Sequence, residues 1–257
     1  MASAVTLAGK HALVTGGGTG IGAAIALALA ERGATVTVCG RRLSELQASA
    51  KRHVNIHAQT ADVTDADSLL QLYRGAQAAR GSFDIVVANA GVAESAPAEK
   101  VSRALWDHTI AVNLTGAFLS VQPALAAMRE RKWGRIVFIA STAGLKAYAY
   151  VAPYVAAKHG VIGLTRALAI ETAKAGITVN AVCPGYAETP MLERAIDRIT
   201  AATRRSNSEA RGALAANSPQ ARFIKPEEVA AAVVWLCGED SAAITGQAIS
   251  VSGGETW

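Results

Sequence analysis

The sequence predicts a single α/β domain in which a doubly wound parallel sheet of about seven strands carries helices on both faces. Short apolar runs rich in β-branched residues alternate with longer helical stretches along all 257 residues, which is typical of βαβ units. A glycine-rich turn directly follows the first apolar run. No internal repeat or linker divides residues 1–257, so one domain accounts for the whole chain.

The elements follow one another in a regular order. Strands are predicted at 11–15, 35–39, 55–58, 84–88, 135–140, 178–182 and 248–251. Helices are predicted at about 21–32, 44–52, 67–80, 106–128, 154–172 and 191–216. Because strands and helices alternate, the strands are expected to lie parallel, with crossover helices on both sides of the sheet.

Composition excludes several classes of protein. With 51% hydrophobic and 18% charged residues the chain is ordinary globular material. The net charge is +5, but Lys and Arg are scattered, so no nucleic-acid partner is expected. Charges or glycines interrupt the apolar stretches, and the first ten residues lack a secretory pattern, so neither a membrane span nor a signal is expected. Three widely spaced cysteines fit a reducing cytoplasmic setting, and the five histidines show no metal-ligand spacing.

Residues 15–22 read T-G-G-G-T-G-I-G, between the first strand and the first helix. Glycines allow a tight turn and close approach to a pyrophosphate, which the helix N-terminus attracts. This position favours a Rossmann-type dinucleotide site over the alternative, a plain strand-to-helix connection. The candidate cofactor residues here are Gly16, Gly18, Thr19, Gly20, Ile21 and Gly22.

The end of the second strand indicates which dinucleotide binds. An NAD site usually has a carboxylate there for the ribose 2′-hydroxyl, whereas this chain has Gly40 followed by Arg41 and Arg42. Guanidinium groups suit a 2′-phosphate. NADP is therefore the predicted cofactor, with NAD as the alternative if the two arginines only begin a solvated helix.

Further motifs occur in a characteristic order. They are Asp62-Val63, Asn89-Ala90-Gly91, Asn113, Ser141, the Y-x-x-x-K pair Tyr154 and Lys158, Pro184-Gly185 and Thr189. With the glycine loop, they make the chain resemble the short-chain dehydrogenase/reductase family nearly from end to end.

The resemblance implies a role for each motif. Asp62 and Val63 would lie near the adenine, the Asn89-Ala90-Gly91 turn would steady the sheet beside the adenosine half, and Thr189 would lie near the nicotinamide carboxamide, after Pro184-Gly185. Asn113, Ser141, Tyr154 and Lys158 would form the catalytic tetrad. Lys158 would also hold the nicotinamide ribose, and Asn113 would anchor a water on a proton path. The family's usual assembly implies a homotetramer, built from helices 106–128 and 154–172.

Physical chemistry supports the catalytic pair independently. Tyr154 and Lys158 are spaced i, i+4, so a helix presents them on one face. A nearby cation is expected to lower the pKa of the phenol, making Tyr154 a general acid in reduction and a general base in oxidation. Ser141 would stabilise the developing charge on the carbonyl oxygen. Taken singly, each could instead be a surface or turn residue.

Three positions depart from the family pattern. Thr19 stands where many NADP-using members have Arg or Lys, which weakens the NADP prediction. Ser252 stands where many have Asp before two glycines. Pro190 follows Thr189 and leaves it available.

The segment at about 186–218 occupies the place of the family's substrate lid. It is predicted to be helical, and it carries Arg194, Arg198, Arg204, Arg205 and Arg211 among acidic residues. Together with residues 153–171 it resembles 3-oxoacyl-thioester and polyketide-type ketoreductases. The expected activity is hydride transfer between NADP(H) and a ketone or secondary alcohol, favouring a 3-oxoacyl or 3-hydroxyacyl thioester. The alternatives are a general ketone, alcohol or sugar-alcohol dehydrogenase and, more remotely, a non-catalytic dinucleotide sensor.

Overall fold

The computed structural model describes residues 5–257. Residues 1–4 belong to the first ten residues, where no secretory signal was expected, and lie outside the described residues. Seven parallel strands form one sheet in the order β3-β2-β1-β4-β5-β6-β7. Their bounds are β1 His11–Thr15, β2 Thr35–Gly40, β3 Ile56–Thr60, β4 Ile85–Ala88, β5 Gly134–Ile139, β6 Ile177–Pro184 and β7 Ala248–Val251. The predicted fold class is confirmed, with each strand within two residues of its predicted bounds.

Ten α-helices connect and follow the strands in the described part of the chain. They are α1 Gly20–Glu31, α2 Leu43–Ala50, α3 Ala66–Arg80, α4 Arg103–Ile110, α5 Gly116–Val121, α6 Leu125–Arg131, α7 Ala152–Thr172, α8 Pro190–Ala202, α9 Asn207–Ala215 and α10 Pro226–Cys237.

The sheet has a separate hydrophobic core on each face, because successive strand side chains point to opposite sides. In β1, Leu13 belongs to the core that includes α3 and α5–α7, whereas Ala12 and Val14 belong to the core under α1 and α10. Both faces are therefore buried, as expected for near-continuous apolar strands in a parallel sheet.

The predicted helix at 106–128 is longer and less regular than expected. α4, α5 and α6 belong to one helical stretch, Arg103–Arg131, which contains a π-helical segment at Ala111–Thr115 and a 3₁₀ turn at Gln122–Ala124. By length and composition alone this stretch is apolar enough to cross a membrane, with a mean hydropathy of 1.4 in its best window, although Gly116 interrupts it, as expected of the apolar stretches. Val121 and Met128 are fully buried against the sheet, which accounts for the apolar inner face.

Candidate active site

The candidate residues converge on the carboxyl edge of the sheet. Parallel strands end on the same edge, and the strand order reverses direction between β1 and β4, which leaves a crevice there. The glycine loop follows β1, Asn89 follows β4, Ser141 follows β5 and Gly185 follows β6. Sequence positions more than a hundred residues apart therefore border one crevice.

The glycine loop has the backbone that a phosphate-binding turn needs. Gly16 and Gly20 adopt positive φ angles of 64° and 54°, which favour glycine. A Cβ at Gly22 would lie 2.5 Å from the Asn89 amide nitrogen. Thr19 precedes α1 without a side-chain capping bond, so the first N–H groups of α1, at Gly20, Ile21 and Gly22, have no side-chain partner from Thr19. These features fit a dinucleotide pyrophosphate.

The Asn89-Ala90-Gly91 turn fastens β4 to β1. The Asn89 amide donates to the Thr15 carbonyl at 2.9 Å, and the backbone N–H groups of Asn89 and Ala90 both donate to the Thr15 hydroxyl at 3.0 Å. A Cβ at Gly91 would lie 2.9 Å from Asn113 Oδ1 and 4.0 Å from Lys158 Nζ. The turn therefore shapes the crevice where β1 and β4 end side by side.

At the adenosine end, the two arginines have different surroundings. Arg42 forms an ion pair with Glu45 at 2.7 Å on the surface of α2, whereas Arg41 is exposed. Burial opposes ionisation of Asp62, but two hydrogen bonds from Thr64, together with the charges of Arg41 and His108, lower the net pKa of that carboxyl. Arg41 is therefore the better placed candidate for a 2′-phosphate.

Beside Asp62, the Val63 side chain packs against α5. It is 7% exposed, and a Cβ at Gly116 on α5 would lie 2.8 Å from its Cγ2. The Asp62-Val63 pair is thus held between β3 and α5 at the edge of the crevice.

Tyr154 and Lys158 lie on the first turns of α7, with Ser141 facing them. Lys158 is 4% exposed and donates to the Ile139 carbonyl at 2.7 Å, while its Nζ lies 5.6 Å from the centre of the Tyr154 ring. The Ser141 Oγ accepts the Ala143 N–H at 3.1 Å, which leaves the hydroxyl proton available for donation. Three groups suited to proton transfer and oxyanion binding are therefore adjacent.

The titration of this pair differs from the expectation. Burial raises the pKa of Tyr154 to about 12, and the hydrogen bond with Ser141 lowers it only in part. Burial lowers the pKa of Lys158 to about 8. The net lowering expected for the pKa of Tyr154 is not found, because burial of the phenol outweighs the hydrogen bond with Ser141.

Asn113 lies in the π-helical segment and is 1% exposed. Its amide nitrogen donates to the carbonyls of Val92 and Thr109, each at 2.9 Å, and its oxygen accepts the Val92 N–H at 3.1 Å. Irregular π segments are frequent at functional sites. Here the side chain holds the chain after Gly91 close to Lys158, and a role in a proton path stays a prediction.

The loop after β6 borders the crevice where the nicotinamide end of the cofactor is expected. Pro184 ends β6, and the Gly185 N–H donates to the Val251 carbonyl at 3.1 Å. Thr189 caps α8 by accepting the Leu192 N–H at 3.4 Å. A Cβ at Gly20 would lie 3.1 Å from the Thr189 methyl group. The loops after β1 and β6 therefore meet.

The predicted helical stretch 191–216 is two helices. α8 ends at Ala202, and α9 begins after Ser206, whose capping box with Glu209 stops the chain continuing as one helix. Arg211 on α9 pairs with both carboxylate oxygens of Glu193 on α8 at 2.9 Å. Arg198 donates to the Ala93 carbonyl at 2.8 Å, which ties α8 to the loop after β4.

Sequence reading missed a polar cluster beside Ser141. Tyr148 contacts Glu255, 107 residues further along the chain, and its ring lies 6.2 Å from that of Tyr186. No motif joins these residues. The one available signal was the position of Tyr186 directly after Pro184-Gly185.

Comparisons with known proteins agree with this geometry. The family model described as short chain dehydrogenase matches residues 10–199. A protein provisionally named ketoacyl reductase 1 of the granaticin polyketide synthase of Streptomyces violaceoruber is 40% identical over 255 residues, covering 97% of this chain and 94% of that protein. D-beta-hydroxybutyrate dehydrogenase of Cupriavidus necator is 38% identical over 253 residues, covering 96% and 98%.

A solved structure is similar over almost the same length. A substituted actinorhodin polyketide ketoreductase, crystallised with NADPH, superimposes with a TM-score of 0.93 at 39% identity, covering 96% of this chain and 97% of that one. The family match spans most of the chain, and the predicted resemblance is confirmed. The chain therefore belongs to the short-chain dehydrogenase/reductase family and is an oxidoreductase acting on a ketone or alcohol group.

Proposed function

We propose that this chain is an NADP(H)-dependent reductase of 3-oxoacyl thioesters, which also oxidises 3-hydroxyacyl thioesters in reverse. The observation that carries the catalytic part is the adjacency of Ser141, Tyr154 and Lys158 at the carboxyl edge of the sheet. When bound, the nicotinamide supplies or accepts the hydride.

Each catalytic residue has a separate task. In reduction, Tyr154 donates its phenolic proton to the carbonyl oxygen, and Ser141 donates a hydrogen bond to the same oxygen as negative charge develops there. Lys158 would hold the nicotinamide ribose, and the hydrogen bond with Ser141 offsets part of the cost of the phenolate left on Tyr154. Asn113 keeps the neighbouring loop in place. In oxidation the same groups act in the opposite sense.

The preference for NADP rests on the adenosine end. Gly40 offers no carboxylate, and exposed Arg41 has a guanidinium free of any ion pair among residues 5–257. The similar ketoreductase crystallised with NADPH supports the same choice. Arg42, already paired with Glu45, contributes less. NAD is the alternative.

The substrate class rests on the relatives and on the segment at 186–218, which we assign as the substrate lid of a single domain. The granaticin relative is named for a ketoacyl substrate and the Cupriavidus relative for a 3-hydroxy acid, so both names refer to an acyl chain with oxygen at or near position 3. On α8, Arg194 is exposed, as is Arg204 beyond it, and both suit the phosphate of a thioester carrier. A general ketone, alcohol or sugar-alcohol dehydrogenase is the runner-up.

We further propose a cytoplasmic homotetramer. Cys39, Cys183 and Cys237 are buried and unpaired, which fits a reducing compartment. The outer faces of Arg103–Arg131 and of α7 carry small and apolar residues, including Ile170 at 82% exposure. Such faces suit close helix packing across a two-fold axis.

The deciding experiment measures kcat/KM with NADPH and NADH on four substrates: a 3-oxoacyl-CoA, the free 3-oxo acid, a cyclic ketone and a sugar alcohol. We expect NADPH with the thioester to exceed every other combination by about tenfold or more. Preference for the ketone or the sugar alcohol would favour the runner-up. Nucleotide binding without any turnover would leave only a dinucleotide sensor.

Tyr154→Phe tests the catalytic assignment in the same assay. Loss of the proton donor should reduce kcat by about 10²- to 10⁴-fold while the Kd for NADPH stays within about twofold. Tyr150→Phe is the matched control, since Tyr150 is 65% exposed. Turnover of the Tyr154 variant within a few fold of the parent would refute the assignment.

A further inference from the structure

Glu255 is a buried carboxylate near the end of the chain that the proposed reaction does not use. Its side chain is 1% exposed and pairs with Lys146 at 3.0 Å. The Tyr148 hydroxyl donates to the same carboxylate oxygen at 2.5 Å. A buried carboxylate is tolerated only when it is paired and hydrogen-bonded, so both contacts are needed to keep the acid in this position.

The carboxylate connects three segments that border the crevice. Its second oxygen lies 3.0 Å from the place that a Cβ would occupy on Gly185, after β6. Through Tyr148 it reaches Thr142, whose hydroxyl lies 2.7 Å from the Tyr148 hydroxyl, and Thr142 directly follows Ser141. The end of the chain is thereby linked to the turn that carries the oxyanion donor.

The contacts also orient two aromatic rings. The Tyr148 hydroxyl donates to Glu255 and can accept from Thr142, so its hydrogen-bonding capacity is used within the protein. Its ring meets the Tyr186 ring edge-on, with 6.2 Å between centroids. Tyr186 in turn packs against the buried cluster of α8 and α9 and is close enough to Tyr154 to influence its titration electrostatically. Through its contact with Tyr186, the Tyr148 ring is therefore linked to the α8–α9 cluster and to the surroundings of Tyr154.

We propose that Glu255 is a positioning residue for the reaction: it holds Tyr148 against Thr142 and thereby fixes both the Ser141 turn and the Tyr148–Tyr186 ring pair. This inference rests on the proposed roles of Ser141 and Tyr154, and it is independent of whether the substrate is a thioester. Within residues 5–257 the side chain of Glu255 bonds to Tyr148 and Lys146 and not to Ser141, Tyr154 or Lys158, so it acts through Tyr148.

A double-mutant cycle in kcat/KM tests the proposal. Glu255→Gln keeps the shape but loses the charge that pairs with Lys146, and Tyr148→Phe removes the bridging hydroxyl. Each single change should lower kcat/KM on the best ketone substrate by about tenfold, and the double variant should be no worse than either, because both break one linkage. The Kd for NADPH should stay within about twofold. Glu31→Gln, at an exposed position at the end of α1, is the matched control.

The possible outcomes distinguish a failure of the proposed function from a failure of the positioning role of Glu255. A parent with no turnover on any ketone would overturn both the proposed function and the positioning role. An active parent whose kcat/KM changes less than twofold in both single variants would overturn the positioning role alone. So would losses that multiply in the double variant, or a parallel loss of NADPH binding, because either result would indicate a general structural effect in place of the Glu255–Tyr148–Thr142 linkage.

Discussion

Replacing Lys158 with methionine should stabilise the folded protein at neutral pH while removing its activity. The ammonium is 4% exposed, and burial holds the pKa of Lys158 at about 8 compared with an ordinary 10.5. At 1.36 kcal/mol for each pKa unit, keeping the charge buried costs about 3 kcal/mol. Methionine has similar length and no charge, so it removes that penalty.

A second effect offsets part of the gain. Lys158 donates to the Ile139 carbonyl at 2.7 Å, and leaving that carbonyl without its partner costs about 1–2 kcal/mol. The variant should therefore be more stable than the parent by about 1–2 kcal/mol at pH 7. In a nucleotide-free sample, this difference in unfolding free energy would measure how much stability the protein loses by keeping Lys158 for its function.

The pH dependence gives the sign of the effect. Between about pH 8 and pH 10.5 the unfolded chain binds the Lys158 proton and the folded chain has released it, so the parent gains stability as the pH rises through this window. The variant lacks this gain, so the difference in unfolding free energy should shrink from pH 8 upward and reverse near pH 9.

Urea unfolding of parent and variant at pH 7, 8.5 and 10, at one protein concentration, measures this difference. Lys174→Met, at an exposed position after α7, is the control and should show no such trend. A Lys158 variant that is less stable than the parent at pH 7 by more than about 1 kcal/mol would refute the burial penalty. So would a difference in stability that does not change with pH. Turnover should fall by about a hundredfold or more in either case.

Three further predictions concern the cofactor site and the assembly. Gly40→Asp with Arg41→Ala should move the kcat/KM preference toward NADH by about ten- to a hundredfold, since a charge-assisted hydrogen bond is typically worth about 1.5–3 kcal/mol. A Cβ at Gly40 meets only Leu46 at 3.8 Å, so the aspartate fits. A parent that already prefers NADH would refute the role of Arg41. Gly22→Ala should weaken NADPH binding and lower the melting temperature, because the added methyl group overlaps Gly16 and Asn89. Unchanged NADPH binding would show that the glycine loop can shift to accommodate the methyl group. Light scattering at micromolar concentration should give four times the chain mass, and a monomer mass would refute the tetramer.

The local sequence pattern was sufficient for structural features that depend on residues close together in the chain. The apolar runs that predicted the five inner strands are buried on both faces, so hydrophobicity and position along the chain were enough to find them. Tyr154 and Lys158 lie on one face of α7 because helix geometry places residues i and i+4 together. The order of motifs then placed the candidate residues at the carboxyl edge, since all parallel strands end there.

Helix irregularity and side-chain pairing were not visible in that pattern. The π segment at Ala111–Thr115 changes the helical register without altering the overall apolar character of the stretch, so periodicity could not detect it. The pairing of Arg42 with Glu45, three positions along, could have been expected from spacing. The sequence pattern could not predict whether the Arg42 side chain would point to that glutamate or into the crevice.

By itself, the sequence determined the fold class, the order of the motifs and the types of group available for proton transfer, because these depend on neighbouring residues and on regular geometry. Only the tertiary structure decided how those groups titrate and what surrounds them. Lys158 loses its solvent shell and donates to Ile139, and Tyr148 is joined to Glu255 from the far end of the chain. Burial and long-range contact are properties of the packed chain, and no local pattern of residues contains them.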